Sequence, residues 1–265
     1  GWRPGVISRG FGRREDGIRL INEETPAAEA GDEPLLIARE TGVPVAVGRA
    51  RFEAGRALLE AHPEVDLIVS DDGLQHAALA RDVEIAVVGA RGLGVLRQFP
   101  PLLDLREPPS RLDTVDAIVL NTSNEAVVES RTPRFAASSC FGACTQLATG
   151  RTALIDELAD RIHAEKLKPL SAAGIAAPGR FFAMIRAHDI EGAELELGDH
   201  FDFAENPFAN RTEDIIFITG KDAVKCRHDP ALAGDKRIWV VGLEVKLDSY
   251  LIDLIDKRAR DAAGR

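Results

Sequence analysis

The stretch that decides the fold is Val65-Asp66-Leu67-Ile68-Val69-Ser70-Asp71-Asp72-Gly73-Leu74-Gln75-His76. It begins as an apolar, β-branched run, which is typical of a buried strand. It ends in two carboxylates, a glycine, an amide and an imidazole. In an open α/β sheet, ligands bind just beyond the carboxyl ends of the strands. Carboxylates at that edge suit a hard cation such as Mg²⁺, so we favour a ligand-binding edge over a mere acidic turn.

Strands alternate with helices on both sides of this stretch. Residues 5–8, 43–47 and 83–88 have the apolar composition of strands, and residues 51–61 have the spacing of an amphipathic helix. Such alternation predicts a doubly wound, mostly parallel α/β sheet.

The pattern restarts after residue 150. Strands are predicted at 170–175, 193–197, 215–219 and 238–241, and a closing helix at 249–260, whereas residues 123–150 look less regular. We therefore expect two domains, residues 1–150 and a smaller α/β lobe at 151–265.

Composition narrows the class of protein. A net charge of −10 argues against a general nucleic-acid-binding surface, so we expect no nucleic-acid partner. Three cysteines form no disulfide framework, and we expect free thiols in a reducing compartment. The sequence has no run of about 20 apolar residues of the kind that spans a membrane.

Six motifs occur in the order found in one enzyme family. They are Ser8-Arg9-Gly10-Phe11-Gly12, Ala30-Gly31-Asp32-Glu33-Pro34, Ser70-Asp71-Asp72-Gly73-Leu74-Gln75-His76, Leu105-Arg106-Glu107, Pro178-Gly179-Arg180-Phe181-Phe182 and Lys221-Asp222-Ala223-Val224-Lys225-Cys226. In these motifs the chain resembles the tetraacyldisaccharide 4'-kinases, the lipid A 4'-kinases of Gram-negative bacteria. The resemblance runs over nearly the whole chain.

The resemblance implies a P-loop-NTPase-like fold and a kinase reaction. The ATP γ-phosphate would be transferred, with Mg²⁺, to the 4'-hydroxyl of an acylated diglucosamine phosphate, a lipid A precursor. It also implies a peripheral place on the cytoplasmic face of the inner membrane, with the full-length protein touching the membrane surface.

Five residues take metal or catalytic roles by this resemblance. Asp71, Asp72 and Glu107 match residues on the Mg²⁺ side of the site. Asp32 matches the aspartate that takes the proton from the sugar hydroxyl, and His200 matches the histidine that pairs with it. From the residues alone, Asp32 would be interpreted as a favourable charge at a helix N-terminus.

Four further residues are expected near the nucleotide: Arg9, Gln75, His76 and Arg106. Arginines suit phosphate, although Arg9 is equally typical of a solvated basic turn. Arg106 with Glu107 is equally consistent with a surface ion pair.

One family motif is missing from the 265 residues. No Gly-x-x-x-x-Gly-Lys-[Ser/Thr] phosphate-binding loop occurs, and the chain starts without Met directly before a predicted strand. We expect an N-terminally truncated piece that lacks its first strand and P-loop. A binding-only remnant, or a phosphotransferase acting on a small hydrophilic substrate, is the alternative.

The 265-residue polypeptide on its own should therefore transfer little or no ³²P from labelled ATP to the disaccharide acceptor. The reason is that it has no phosphate-binding loop to position ATP. Robust turnover by the purified polypeptide would contradict this expectation. Acceptor binding without ATP binding would favour the binding-only remnant, and activity independent of acyl chains would favour the other phosphotransferase.

Overall fold

The computed structural model describes residues 1–13, 15–22, 24–89, 107–120 and 130–264. By its internal contacts the chain forms two compact units. Unit 1 consists of Gly1–Asp71 and Phe141–Leu243, and unit 2 of Asp72–Cys140 and Glu244–Arg265. Both units are discontinuous in sequence. The predicted boundary between residues 150 and 151 stays a prediction.

The described residues contain strands and helices throughout. The strands are β1 (Pro4–Ser8), β2 (Arg19–Ile21), β3 (Val45–Val47), β4 (Leu67–Ser70), β5 (Ile85–Val88), β6 (Ala117–Leu120), β7 (Arg134–Gln146), β8 (Thr152–Ala153), β9 (Pro169–Ala173), β10 (Ala193–Glu196), β11 (Ile215–Thr219) and β12 (Ile238–Leu247). The helices are α1 (Ala27–Ala30), α2 (Asp32–Thr41), α3 (Arg51–Ala61), α4 (Ile155–Glu165), α5 (Pro178–Arg186), α6 (Gly220–Cys226), α7 (Pro230–Ala233) and α8 (Ser249–Ala263), and Pro109–Thr114 forms a 3₁₀ helix.

The first sheet of unit 1 has the strand order β2-β3-β1-β4. Its central strand, β1, pairs in parallel with β3 and with β4, while β2 runs antiparallel to β3. The register places Ile7 opposite Ala46 on one side and Ser70 on the other. The carboxyl ends of three parallel strands therefore meet at one edge, where an α/β sheet binds ligands.

A second set of strands in unit 1 is parallel throughout, in the order β10-β9-β11-β12. Strand β9 is buried along its whole length. Helices α4 and α5 cover one face with apolar side chains, and Phe182, Ile185, Phe217 and Trp239 form part of that core. The strands of such a buried sheet appear in the sequence as short apolar runs, not as alternating apolar and polar residues.

In unit 2, β6 pairs in parallel with β5 and with β7. Leu251 of α8 packs against Ala117, Val119 and Ala137. The prediction of an α/β fold with mostly parallel strands is confirmed.

Two local predictions were wrong. Residues 134–146 were expected to be irregular but form β7. Their many small residues show no clear hydrophobic period, so the sequence pattern does not indicate a strand. Strand β12 continues past Val241, where the prediction ended it. A Cβ on Gly242 would lie 2.6 Å from the Ala143 carbonyl oxygen, so this glycine allows a close backbone approach rather than ending the strand.

The cysteines are free thiols, as predicted. Cys144 and Cys226 are buried, and Cys140 is half-buried. Burial raises the pKa of Cys144 to about 11 and that of Cys226 to about 12. Neither buried thiol is therefore a nucleophile near neutral pH.

The junction between β11 and α6 contains a fully buried carboxyl group, Asp222. The Thr219 hydroxyl donates to Asp222 Oδ2 at 2.6 Å, and the Gly174 amide donates to Oδ1 at 3.1 Å. Burial raises the pKa of Asp222, although these hydrogen bonds and the charge of Lys225 oppose the rise. This carboxyl joins the end of β9 to the start of α6.

Replacing Gly192 with Ala should destabilise unit 1. Gly192 precedes β10, and an added Cβ would clash with the backbone carbonyl of Pro169 on β9. Because a backbone atom moves at high cost, we expect Gly192→Ala to lower the free energy of unfolding by ~1–3 kcal/mol in urea titrations. The matched control is Gly179→Ala in α5, where nothing lies within 4 Å. Equal stability of the two variants would refute the packing argument.

Asp222→Asn should change how stability depends on pH. Since the fold raises the pKa of Asp222, the stability it contributes is fully present below its ordinary pKa of 3.8 and is lost as the pH rises through the raised value. Asn has no such proton to lose. Urea unfolding from about pH 4 to 7 should show the original protein losing stability relative to the variant as the pH rises. A difference in the free energy of unfolding between the two proteins that stays constant with pH would mean that burial does not raise the pKa of Asp222.

Candidate functional site

Asp71 lies at the carboxyl edge of the first sheet of unit 1. The Ser8 hydroxyl, at the end of β1, donates to Asp71 Oδ2 at 2.8 Å. The Asp71 amide donates to the Ile7 carbonyl at 2.9 Å, which continues the pairing of β1 with β4. Ser8 is buried, so Asp71 is held against the central strand of the sheet.

Arg51, at the start of α3, supports the same edge. Its side chain is buried and donates to the Gly48 carbonyl at 3.0 Å and to the Asp71 carbonyl at 3.5 Å. A buried guanidinium that binds backbone carbonyls fixes the turn in which Asp71 sits.

Asp72 has a left-handed backbone, with φ of +48°. Few residues other than glycine adopt this conformation, although aspartate tolerates it better than most. The turn thus directs the side chains of Asp71 and Asp72 differently from those of a continuing strand. An observed outlier of this kind at a strand end motivates a functional hypothesis.

Gln75 and Glu107 are brought together in unit 2, although 32 residues separate them in sequence. The Gln75 side-chain amide donates to Glu107 Oε1 at 3.0 Å. Glu107 Oε2 lies 3.1 Å from Arg111 Nε. The glutamate is therefore held from two sides, as a residue that must present a carboxylate in a fixed direction would be.

Arg111 is itself held by a second glutamate, Glu84. Arg111 and Arg81 both form ion pairs with Glu84. Burial acts to raise the pKa of Glu84, but hydrogen bonds from the two arginines outweigh it, and the pKa falls below its ordinary value. Glu84 directly precedes β5, and Arg111 lies in the 3₁₀ helix 27 residues later. The sequence alone therefore does not reveal this support for Glu107.

Two buried polar atoms of the motif at residues 70–76 have no hydrogen-bond partner among the described residues. They are Ser70 Oγ, at the end of β4, and His76 Nδ1. A buried polar group normally has a partner, so each of these atoms fits a site that accepts a polar ligand. The His76 carbonyl accepts a hydrogen bond from Arg81 at 2.7 Å, which anchors its backbone.

Asp32 and His200 also lie together, both in unit 1. Asp32 is the first residue of α2, so its carboxylate has the favourable helix-start position that the residues alone suggested. His200 Nδ1 lies 3.1 Å from Asp32 Oδ2. An ionised carboxylate can only accept, so this contact requires the proton of the ring to be on Nδ1.

Glycines allow the backbone to pack closely around Asp32. Gly10 and Gly31 both have positive φ, +70° and +87°. A Cβ on Gly31 would lie 2.9 Å from the Phe11 carbonyl oxygen, and one on Gly10 would lie 2.9 Å from that of Ala30. The loop after β1 therefore rests on the start of α2, and the Phe11 ring lies 5.5 Å from the His200 ring.

Lys225 also belongs to this group, although its sequence motif predicted no role for it. Its Nζ lies 2.8 Å from Asp32 Oδ2, and both side chains are almost fully buried. The same Nζ donates to the Phe201 carbonyl at 2.9 Å. The available signal was the pair Lys221 and Lys225, one helical turn apart in the Lys-Asp-Ala-Val-Lys motif.

The remaining predicted residues are not placed in a cluster. Arg9 is exposed at the end of β1, and Arg106 lies outside the described residues. Within the described ranges, no group of three or more His, Cys, Asp or Glu residues is arranged to hold a metal ion. In the same ranges, no helix has both the length and the apolar character to cross a membrane.

Comparison with known proteins identifies the family to which the chain is similar. The family model described as tetraacyldisaccharide-1-P 4'-kinase matches residues 1–260. A tetraacyldisaccharide 4'-kinase from Janthinobacterium sp. is 44% identical over 98% of this chain and 74% of its own length. The protein of that name from Dechloromonas aromatica is 41% identical over 98% of this chain and 75% of its own length.

A solved structure extends the likeness to three dimensions. The crystal structure of LpxK from Aquifex aeolicus in complex with ATP superposes with a TM-score of 0.78 at 26% identity. The match covers 97% of this chain and 79% of that chain. With the family match over almost the whole sequence, this shows that the chain belongs to the tetraacyldisaccharide-1-P 4'-kinase family.

Proposed function

We propose that Asp32 is the general base of a lipid A 4'-kinase and that His200 orients it. The observation that carries this proposal is the 3.1 Å contact between His200 Nδ1 and Asp32 Oδ2 at the start of α2. A carboxylate paired with an imidazole can accept a proton from a sugar hydroxyl. Its nearly buried position keeps bulk water from competing for it.

The reaction transfers the γ-phosphoryl group of ATP to the 4'-hydroxyl of the acylated diglucosamine phosphate. A bond forms between the hydroxyl oxygen and the γ-phosphorus, and the bond from that phosphorus to the bridging oxygen of ADP breaks. The hydroxyl proton passes to Asp32. Because phosphoryl transfer depends mainly on positioning and charge stabilisation, a fixed base matters more than a strong one.

The nucleotide side is assigned to other residues. By the resemblance of their motifs, Asp71, Asp72 and Glu107 would each supply carboxylate oxygens of the kind that Mg²⁺ prefers, and the ion would neutralise charge on the phosphates. The contacts of Asp71 with Ser8 and of Glu107 with Gln75 support the assignment, because each holds a carboxylate in a fixed direction.

Gln75, His76, Arg9 and Arg106 are proposed as phosphate or nucleotide contacts. The partnerless, buried Nδ1 of His76 supports a polar ligand at that residue. For Arg9 and Arg106 the support is the family motif and the affinity of guanidinium groups for phosphate.

The location follows from the acceptor. A disaccharide that carries acyl chains resides in a membrane, so an enzyme acting on its sugar works at the membrane surface. We propose a peripheral protein on the cytoplasmic face of the Gram-negative inner membrane, where ATP is available.

Variants of the Asp32–His200 pair test the central assignment. In the full-length gene product, Asp32→Asn should lower kcat by roughly 10²–10⁴-fold, since the base is lost while its volume is kept. His200→Ala should lower kcat less, and the KM for ATP should change little in either variant. Initial rates of ³²P transfer to the disaccharide acceptor measure both effects.

The matched control is His188→Ala. His188 Nδ1 lies 2.6 Å from Asp156 Oδ1, a histidine–aspartate pair of the same kind in the same unit. This variant should retain the original rate. A kcat for Asp32→Asn equal to that of the control would remove Asp32 from the reaction.

A further inference from the structure

Helix α6 is fixed in place independently of the proposed base. Thr219 caps its first turn by accepting from the Asp222 amide, and Asp222 is buried beneath it. Val224 packs with Leu35 in the first turn of α2 and with Ala30 at the end of α1. These contacts dock α6 against the end of α2 that carries Asp32.

Lys225 of α6 links Asp32 to the loop carrying His200. Its Nζ lies against Asp32 Oδ2 at 2.8 Å and donates to the Phe201 carbonyl at 2.9 Å. Only 9% of the lysine side chain and 12% of the aspartate side chain are exposed. A charge removed from water in this way is costly unless it is paired, so the two groups hold each other in place.

The backbone segment whose carbonyl accepts the hydrogen bond from Lys225 is strained. His200 and Phe203 both have positive φ, +59° and +56°. Phenylalanine rarely adopts this conformation, although histidine tolerates it better than most residues, and it persists where surrounding contacts impose it. The Phe201 carbonyl lies between these two residues, so its bond to Lys225 helps to keep His200 directed at Asp32.

Lys221 provides an internal comparison. It lies one turn earlier on the same face of α6 and pairs with Glu33, the neighbour of Asp32. Both partners of that pair are substantially exposed, and exposed pairs contribute little. The two lysines therefore lie on the same face of the same helix and carry the same charge, but they differ in their burial and in their partners.

We infer that Lys225 is a positioning residue for the phosphoryl transfer. His200 Nδ1 and Lys225 Nζ both approach Oδ2 of Asp32. Lys225 thereby fixes the rotation of the carboxylate and assigns Oδ1 to the acceptor hydroxyl. The inference rests on the proposed role of Asp32.

The test compares Lys225→Met, Lys225→Arg and Lys221→Met in the full-length gene product. Lys225→Met should lower kcat by about 100-fold, because a misdirected base loses its alignment with the hydroxyl. Its KM for ATP should stay within about 2-fold of the original, because the nucleotide contacts are elsewhere. Lys225→Arg should recover most of the rate, since it restores the charge. Lys221→Met should behave as the original protein.

A lysine that only stabilised the fold would give a different result. Its loss would lower the melting temperature and the amount of folded enzyme, but kcat divided by the folded fraction would stay at the original value. A kcat for Lys225→Met equal to that of Lys221→Met would overturn the inference. If Lys225→Met does not fold, Lys225→Gln, which can still donate to the Phe201 carbonyl but has no charge, is the variant to measure.

Crystal structures of the same variants decide the matter without turnover. In Lys225→Met, the distance from Asp32 to His200 Nδ1 should exceed about 3.5 Å, the limit of a hydrogen bond, and in Lys221→Met it should not. An unchanged pair in Lys225→Met would refute the positioning role. Absence of phosphate transfer by the original protein, with the pair disrupted in Lys225→Met, would instead contradict only the proposed function of Asp32.

Discussion

The acceptor side of the proposed site depends on one nearly buried carboxylate with two nitrogen partners. Asp32 Oδ2 meets the His200 imidazole on one side and the Lys225 ammonium on the other. The side chains of Asp32 and Lys225 are almost fully buried, so each charge needs a partner. The ammonium and the imidazole together determine the direction of the carboxylate.

The rest of unit 1 can be understood as the framework for that contact. Parallel pairing of β1 with β3 and β4 brings the loop after β1 to the start of α2, where Gly10 and Gly31 permit close packing. Strand β11 delivers α6, and the buried Asp222 ties α6 to the end of β9. Elements far apart in sequence thus converge on Asp32, as the positioning of catalytic groups on rigid elements requires.

Much of this arrangement was predictable from sequence, for physical reasons. Apolar runs that end in polar clusters indicated the parallel strands and their functional edge, and β1, α3 and β11 were predicted to within a residue. Family motifs pointed to Asp32 and His200, which lie together. Strand β7 was missed because small residues carry little hydrophobic pattern. The predicted end of β12 at Val241 was too early, because sequence cannot show the neighbouring backbone that Gly242 approaches.

Lys225 shows the limit of the sequence in the site. A lysine in a short helix is usually solvated, and only the packing of α6 on α2 reveals its burial. The most direct measurement of the central claim is a double-mutant cycle on kcat with Asp32→Asn, His200→Ala and the double variant. If His200 acts only through Asp32, the double variant should be about as slow as Asp32→Asn alone. Losses that multiply would show that the two residues act independently and would contradict the account.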